Sequence, residues 1–249
     1  MKTALVMLAV THMKTGICIA GVNPDAPANW VRPVREFGTI LLGDITYPAP
    51  PAASIPAGQR RAMRPFDVAE LGLGHARPAP PHIEDWTCDF AHQRPRLLGV
   101  LPEGQRAALL DAASHPAQTL WGGERSLGIV VAEQLSATFR HDRYTGKYDA
   151  RLSFAGLPPD ATSAACTDLK WRALGRRLLA NGVAGAGAGA PALRTLTLAG
   201  DELSAALGGA TQVWLALGIS RALDGRFWPL VIGVHTLPDY EVEIDYSTL

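Results

Sequence analysis

The sequence predicts a mainly β protein of the α+β class, built from small barrels with one main helix and a few short helices. Three observations support this fold class. Short apolar runs with period-two alternation recur along the chain, turn signals separate several of them, and strands do not alternate regularly with helices. Short strands of this kind form sheets that close or fold over into barrels.

The first part of the chain predicts one small sheet. Its two leading apolar runs are joined by a polar loop, and the third run contains Pro33, which suits an edge position. A long segment rich in Pro and Ala, residues 41–65, predicts a loop, and the segment that contains "HIEDW" predicts another. The predicted strands are 4–10, 17–22, 29–34 and 66–73, and a short helix is predicted at 103–113.

The second part of the chain predicts a further sheet and the main helix. Thr167 or Asp168 is suited to begin this helix at 167–181, and Asn181 with Gly182 is suited to end it. The Gly/Ala-rich segment 182–191 predicts a flexible loop. The predicted strands are 127–133, 136–142, 147–154, 212–221 and 227–235, with a short helix at 201–207.

Composition narrows the classes of function. The chain has 23 basic and 23 acidic residues, so any surface for nucleic acid must be a local patch. Its 3 cysteines are far apart and predict neither a disulfide framework nor a zinc site. The apolar run at 4–10 is short and predicts a buried strand rather than an export signal or a membrane span, so a cytoplasmic location is expected.

Three segments together carry a resemblance to a known family. They are "LAVTHMKTGICIAGV…NWVRPV", "FDVAEL…PPHIEDW" and "CTDLKWR…VWLALGISR…WPLVIGVHTLPDY". With them the chain resembles the bacterial dual OB-containing domain family, whose members are largely uncharacterised. The resemblance implies two OB-like barrels, one within residues 1–115 and one within 120–249, the second carrying the helix 167–181 and the loop 182–191. Binding of nucleic acid is an expectation from the fold.

The segment "WVRPVR" predicts a candidate ligand surface. Trp30 and Arg32 project to the same face of a strand, with Arg35 just beyond, and an exposed face of this kind suits base stacking and phosphate contact. The alternative is that Trp30 is a core anchor and that Arg32 pairs with a buried acid, Asp85 or Asp168.

The hairpin "RHDRYTGKYDAR" is the strongest argument for a nucleic-acid surface. Basic and aromatic side chains interleave along it, as in hairpins that clamp a single strand, although charge on an edge hairpin also maintains solubility. Lys170 and Trp171, on the basic flank of the main helix, extend the predicted surface, unless that flank is only a solvated face. The hairpin candidates are Arg140, Arg143, Tyr144, Lys147 and Arg151.

Five polar residues are candidates for catalysis. His82 with Asp85, and His235 with Asp239, have the spacing of acid/base pairs, and Asp168 is a further buried-acid candidate. Each also has a structural explanation as a cap, a turn residue or an ion-pair partner. No metal site and no cofactor are predicted, because zinc spacings, phosphate loops and dinucleotide fingerprints are missing from the sequence.

The preferred function is therefore a binding protein for single-stranded nucleic acid or a nucleotide-like ligand through OB-type barrels, with no membrane partner. Two alternatives stay open. One is an enzyme whose polar site between the barrels acts on a small molecule or nucleotide. The other is a module that binds a partner protein. The enzyme is favoured only if the five candidates meet in one cleft.

Overall fold

Two β-sheets form most of the protein. The structure is a computed structural model that describes residues 1–13, 15–48, 60–181, 192–222, 225–244 and 246. The strands of the first part are β1 (Lys2–Met13), β2 (Gly16–Asn23), β3 (Ala26–Val34), β4 (Thr46–Pro48), β5 (Arg60–Ala62), β6 (Asp67–Ala76), β7 (Asp85–Cys88) and β8 (Arg96–Val100). A 3₁₀ turn, Leu42–Ile45, precedes β4.

The first sheet closes on itself. Its order is β1-β2-β3-β7-β6-β8, and β1 also pairs with β6, so five of its strands form a circuit. β3 and β7 run parallel, whereas the other pairs in this circuit are antiparallel. A closed five-stranded circuit of short strands is the architecture of an OB-type barrel.

Strand β1 is buried on both faces. Leu5 and Met7 point into the barrel, whereas Val6 and Leu8 pack against the second half of the chain. Because each face is covered by apolar side chains, the sequence of β1 reads as a continuous apolar run rather than as an alternating one.

The second sheet has seven strands in the order β13-β10-β11-β12-β15-β14-β9. Only its β12–β15 pair is parallel. The strands are β9 (Leu127–Val131), β10 (Ser136–Asp142), β11 (Tyr148–Ser153), β12 (Ala164–Cys166), β13 (Leu193–Ala199), β14 (Gln212–Ile219) and β15 (Pro229–Leu237). The helices are α1 (Glu103–Ala112), α2 (Ala117–Trp121), α3 (Leu169–Asn181) and α4 (Gly200–Ala206).

Helix α3 packs closely on the second sheet. Trp171 and Leu174 enter the core of this half, where the indole lies 5.5 Å from the ring of Phe139. A Cβ at Gly175 would lie 2.1 Å from the Phe139 ring. The absence of a side chain at Gly175 therefore permits the close approach of helix and sheet.

The two sheets share a third core cluster. Val6, Leu8 and Trp30 of the first half pack there with Trp214 and Ile232 of the second. β1 and β15 approach so closely that a Cβ at Gly233 would lie 2.5 Å from the carbonyl oxygen of Leu8. The two halves are therefore joined by an apolar interface as well as by the chain.

The predicted fold class is confirmed, and most predicted strands and helices are present. The loop prediction around "HIEDW" was wrong at its end, because β7 begins at Asp85 and pairs with β3. Strands β4, β5, β8, β12 and β13 were not predicted, and the prediction of a loop over 41–65 was wrong where β4 and β5 form and pair with each other. The predicted flexible loop 182–191 lies outside the described residues, and the division into domains at about 115–120 stays a prediction. Within the described ranges no helix has the length and apolarity needed to cross a membrane.

Candidate ligand-binding cleft

A cleft of about 610 Å³ lies between the two sheets. Strands β1, β2 and β3 contribute one wall, and residues at the end of β14 and the start of β15 contribute the other. Most of the wall is apolar, with side chains such as Ile17, Ile40, Leu230 and Ile232. A concave, mainly apolar cavity with a few converging polar groups is typical of a site for a small ligand.

The charged lining of the cleft is mainly basic. Four arginines and two carboxylates contribute to it: Arg32, Arg35, Arg77 and Arg221, with Glu36 and Asp85. The whole chain has no net charge, so this excess of positive charge is a local property of the cleft.

Arg32 and Arg221 share the carboxylate of Asp85. The register of the parallel pair β3–β7 places Arg32 directly opposite Asp85, and the Arg32 Nε donates to Oδ1 at 2.6 Å. An Nη2 of Arg221 donates to Oδ2 at 2.5 Å. Two guanidinium groups against one carboxylate leave one positive charge in excess.

Arg32 also has an unused donor. The residue is only 8% exposed, and its Nη2 is covered from solvent without a hydrogen-bond partner among the described residues. Such an orphaned donor is unfavourable in a folded protein and calls for an explanation, such as a ligand that is bound there in the functional state.

The other two arginines of the cleft are held by the protein. Arg35 makes a two-pronged ion pair with Asp44, at 2.6 and 3.1 Å. Arg77 donates to the carbonyl oxygen of Glu36 at 3.2 Å. Their charges add to the field of the cleft.

His82 and Cys18, which lie near this cluster, are both uncharged at neutral pH. Burial, followed by the guanidinium groups of Arg32 and Arg221, lowers the pKa of His82 to about 4. Burial raises the pKa of the Cys18 thiol. At neutral pH His82 is therefore uncharged and Cys18 is not a thiolate, so neither adds charge to the cleft.

Trp30, the first residue of the predicted stacking surface, is buried at 4% exposure in the shared core. The alternative from the sequence describes this strand better: Trp30 is a core anchor and Arg32 pairs with Asp85. Trp30 is thus not available for stacking, whereas Arg32 still borders the cleft.

In the hairpin β10–β11, most of the residues predicted to bind nucleic acid are exposed to solvent. Arg140 and Lys147 are exposed, and Tyr144 at the tip is 87% exposed. Arg143 is exposed as well, and its backbone N–H donates to Ala192. Arg151, by contrast, is held by two hydrogen bonds to Ser163.

The basic flank of α3 is occupied within the protein. Lys170 forms an ion pair with Asp239 at 2.6 Å and lies over the ring of Tyr240. Trp171 is completely buried. Their predicted role in ligand contact therefore has no support from the geometry of this helix.

Asp168, His235 and Asp239 belong to a second polar cluster around Lys170. The Asp168 carboxylate accepts hydrogen bonds from the backbone N–H groups of Lys170 and Val234, each at 2.8 Å, and burial raises its pKa to about 6. Burial, followed by the charge of Lys170, lowers the pKa of His235 to about 4. None of these three acid/base candidates lines the cleft.

The five catalytic candidates therefore do not meet. His82 and Asp85 lie with the arginines of the cleft, whereas the other three stabilise the start of α3 and the end of β15. Among the residues that the structure describes, no group of three or more potential ligands is suited to hold a metal ion.

The fold and the cleft define a mainly β protein of the OB-like class, in which an OB-type barrel and a seven-stranded sheet enclose a basic cleft. The dual OB-containing domain family matches residues 3–142, more than half of the chain, and the chain belongs to that family. The matched segment includes the first barrel and the first strands of the second sheet. Neither a curated protein nor a solved structure matches the chain.

Proposed function

We propose that this protein binds a phosphate-bearing ligand of the nucleotide type, free or within single-stranded nucleic acid, in the cleft between its barrels. The observation that carries the proposal is the shared carboxylate: Arg32 and Arg221 contact one Asp85, and Arg32 retains an unused donor. Guanidinium groups bind phosphate oxygens through paired, charge-assisted hydrogen bonds.

The remaining features of the cleft support this class of ligand. Its volume of about 610 Å³ suits a molecule of nucleotide size, and its apolar walls suit a base or a sugar. A cytoplasmic location and a division at residues 115–120 into two domains are part of this proposal.

A second candidate surface for single strands is the hairpin β10–β11. Tyr144 offers an exposed ring for stacking, and Arg140 and Lys147 lie exposed beside it. Stacking on an exposed ring and contact of basic side chains with phosphates are how OB-type proteins bind single strands. Whether the ligand binds at this hairpin or in the cleft can be decided with one substitution at each surface.

The test compares Arg221→Gln with Arg140→Gln by isothermal titration calorimetry and fluorescence anisotropy. Both substitutions remove one exposed arginine and one charge, the first at the cleft and the second at the hairpin. We expect Arg221→Gln to weaken binding of adenosine 5′-monophosphate and of a short single strand about 10-fold or more, since a hydrogen bond to a charged group contributes about 1.5–3 kcal/mol.

Arg140→Gln should bind both ligands as the wild type does. If only Arg140→Gln weakens binding of the strand, the hairpin is the binding surface and the cleft proposal is wrong. If neither ligand binds the wild type at low salt, where phosphate contacts are strongest, both surfaces are excluded as sites for nucleotides.

The enzyme alternative has less support. Its five acid/base candidates lie in two separate clusters, and the Asp85 carboxylate in the cleft cluster is already held by two guanidinium groups. A binding site therefore explains the cleft better than a catalytic one.

A further inference from the structure

We propose that the ligand ends in a phosphate monoester and stacks its adjacent base on Trp228, a residue that was not among the sequence-predicted site residues. This inference rests on the proposed function, because it specifies which ligand the same cleft takes. Two observations carry it, the position of Trp228 and the depth of Arg32.

Trp228 lies on the cleft side of the second sheet. In the antiparallel pair β14–β15, Gly218 is opposite Leu230 and Ile219 is opposite Pro229. The pairing continues by one residue, since the backbone N–H of Ser220 donates to the carbonyl of Trp228 at 2.9 Å. Residues opposite each other share a face, so Trp228 shares the face of Ser220.

That face borders the cleft. Gly218, Ser220, Leu230 and Ile232 line it, joined at the strand end by Ile219 and Arg221, and Trp228 is the next residue outward from Leu230 in the alternating series, just beyond the lining itself. The indole is 49% exposed, whereas its backbone is fixed by a second hydrogen bond, from Trp228 N–H to the Ser220 Oγ at 2.9 Å. A large aromatic ring is therefore held, half exposed, beside the mouth of the cleft.

The deep burial of Arg32 favours a ligand whose phosphate is terminal. Arg32 is almost fully covered, while the side chain of Arg221, on the same carboxylate, is 57% exposed. A phosphate inside a strand carries a nucleoside on both sides, and both would have to enter with it. A terminal phosphate monoester carries only one, and it offers three oxygens and about −1.5 to −2 charges at pH 7 to the two guanidinium groups.

The arrangement thus matches a phosphate in the cleft and its own base at the mouth. The required chemistry, a phosphate monoester next to an aromatic base, is found in a free nucleoside monophosphate and at the phosphorylated end of a single strand. The arms of the experiment distinguish these two sources.

The test measures affinities at one fixed low salt concentration for adenosine 5′-monophosphate, ribose 5-phosphate, adenosine and 3′,5′-cyclic adenosine monophosphate. We expect adenosine 5′-monophosphate to bind most tightly. Ribose 5-phosphate lacks the base and should bind about 5- to 100-fold more weakly, the worth of one stacked base. The cyclic diester should bind at least about tenfold more weakly, because it lacks the terminal charge.

The variants separate stacking from fold stability. Trp228→Ala should weaken binding of adenosine 5′-monophosphate about tenfold and leave ribose 5-phosphate unchanged, and Trp228→Phe should retain most of the affinity. Tyr144→Ala is the control, because Tyr144 is an aromatic residue that is 87% exposed at the tip of the hairpin β10–β11 and does not line the cleft. It should bind both ligands as the wild type does.

The source is identified with single strands that carry a phosphate at the 5′ end, at the 3′ end or at neither. Tighter binding of one phosphorylated strand than of the mononucleotide identifies a strand end, and the reverse identifies a free nucleotide. If nucleotides bind and Arg221→Gln weakens them, but Trp228→Ala does not or the cyclic diester binds equally well, this inference is overturned and the proposed function stands. If no nucleotide binds, both are overturned.

Discussion

Replacing Asp85 by Asn tests the arginine cluster most directly. The side chains of Arg32 and Asp85 are 9% and 4% exposed, and their charged atoms are 2.6 Å apart. Asn has the shape of Asp and keeps one acceptor oxygen, but it removes the charge that compensates the buried guanidinium. Removing one partner of a buried ion pair costs about 3–5 kcal/mol, and we expect the lower end because one hydrogen bond can remain.

The assay is urea unfolding together with a thermal melt. For a chain of this size each kcal/mol lowers the melting temperature by about 2–4 °C, so a loss of about 3 kcal/mol predicts a decrease of about 6–12 °C. Inorganic phosphate should restore part of this stability, because two guanidinium groups without their carboxylate form a stronger anion site. At tenfold excess over its Kd the anion contributes about 1.4 kcal/mol.

Two controls accompany this variant. Arg221→Gln removes the exposed partner of the same carboxylate and should cost less than about 1 kcal/mol. The double replacement Arg32→Met with Asp85→Leu should regain much of the lost stability, because apolar residues of similar size substitute well for a buried pair. A loss below about 1 kcal/mol for Asp85→Asn, or no greater stabilisation by phosphate than in the wild type, would refute the reasoning.

Two further predictions concern the core and its titration. Trp30→Ala should cost about 3–5 kcal/mol in urea unfolding, whereas Tyr144→Ala at the exposed hairpin tip should cost less than about 0.5 kcal/mol; an unchanged midpoint for Trp30→Ala would exclude its core assignment. The pKa of His235 is about 4 in the folded protein and 6.5 in the unfolded chain, so the unfolded chain binds more protons between these two pH values. The free energy of unfolding should therefore increase as pH rises from 4 to 6.5. As pH falls through the same range, about 3 kcal/mol of it should be lost. The raised pKa of Asp168 has the opposite effect on stability between pH 3.8 and about 6. The measurement is therefore the difference in free energy of unfolding between the wild type and His235→Gln across this range. If that difference does not vary with pH, the prediction is wrong.

Much of the candidate site depends on one short strand that sequence patterns did not reveal. β7 has only four residues and follows a segment rich in proline, so it has too few positions to show an alternation. Its pairing with β3 nevertheless decides that Asp85, rather than Asp168, is the partner of Arg32. Arg221 and Trp228 lie within the predicted strands 212–221 and 227–235 but were missed as site residues, since their role follows from the pairing of β14 with β15 and from the approach of Arg221 to the distant Asp85.

The sequence by itself determined the fold class, most of the strands, the main helix and the family, and it showed that Trp30 and Arg32 share one face. These features depend on local alternation, capping residues and motifs, which neighbouring residues encode directly. Only the tertiary structure decided what covers that face. The second sheet packs against it, burying Trp30 in the shared core and leaving Arg32 at a cleft whose walls come from distant parts of the chain. Packing between such segments depends on the pairing and register of the whole fold, which no local pattern contains.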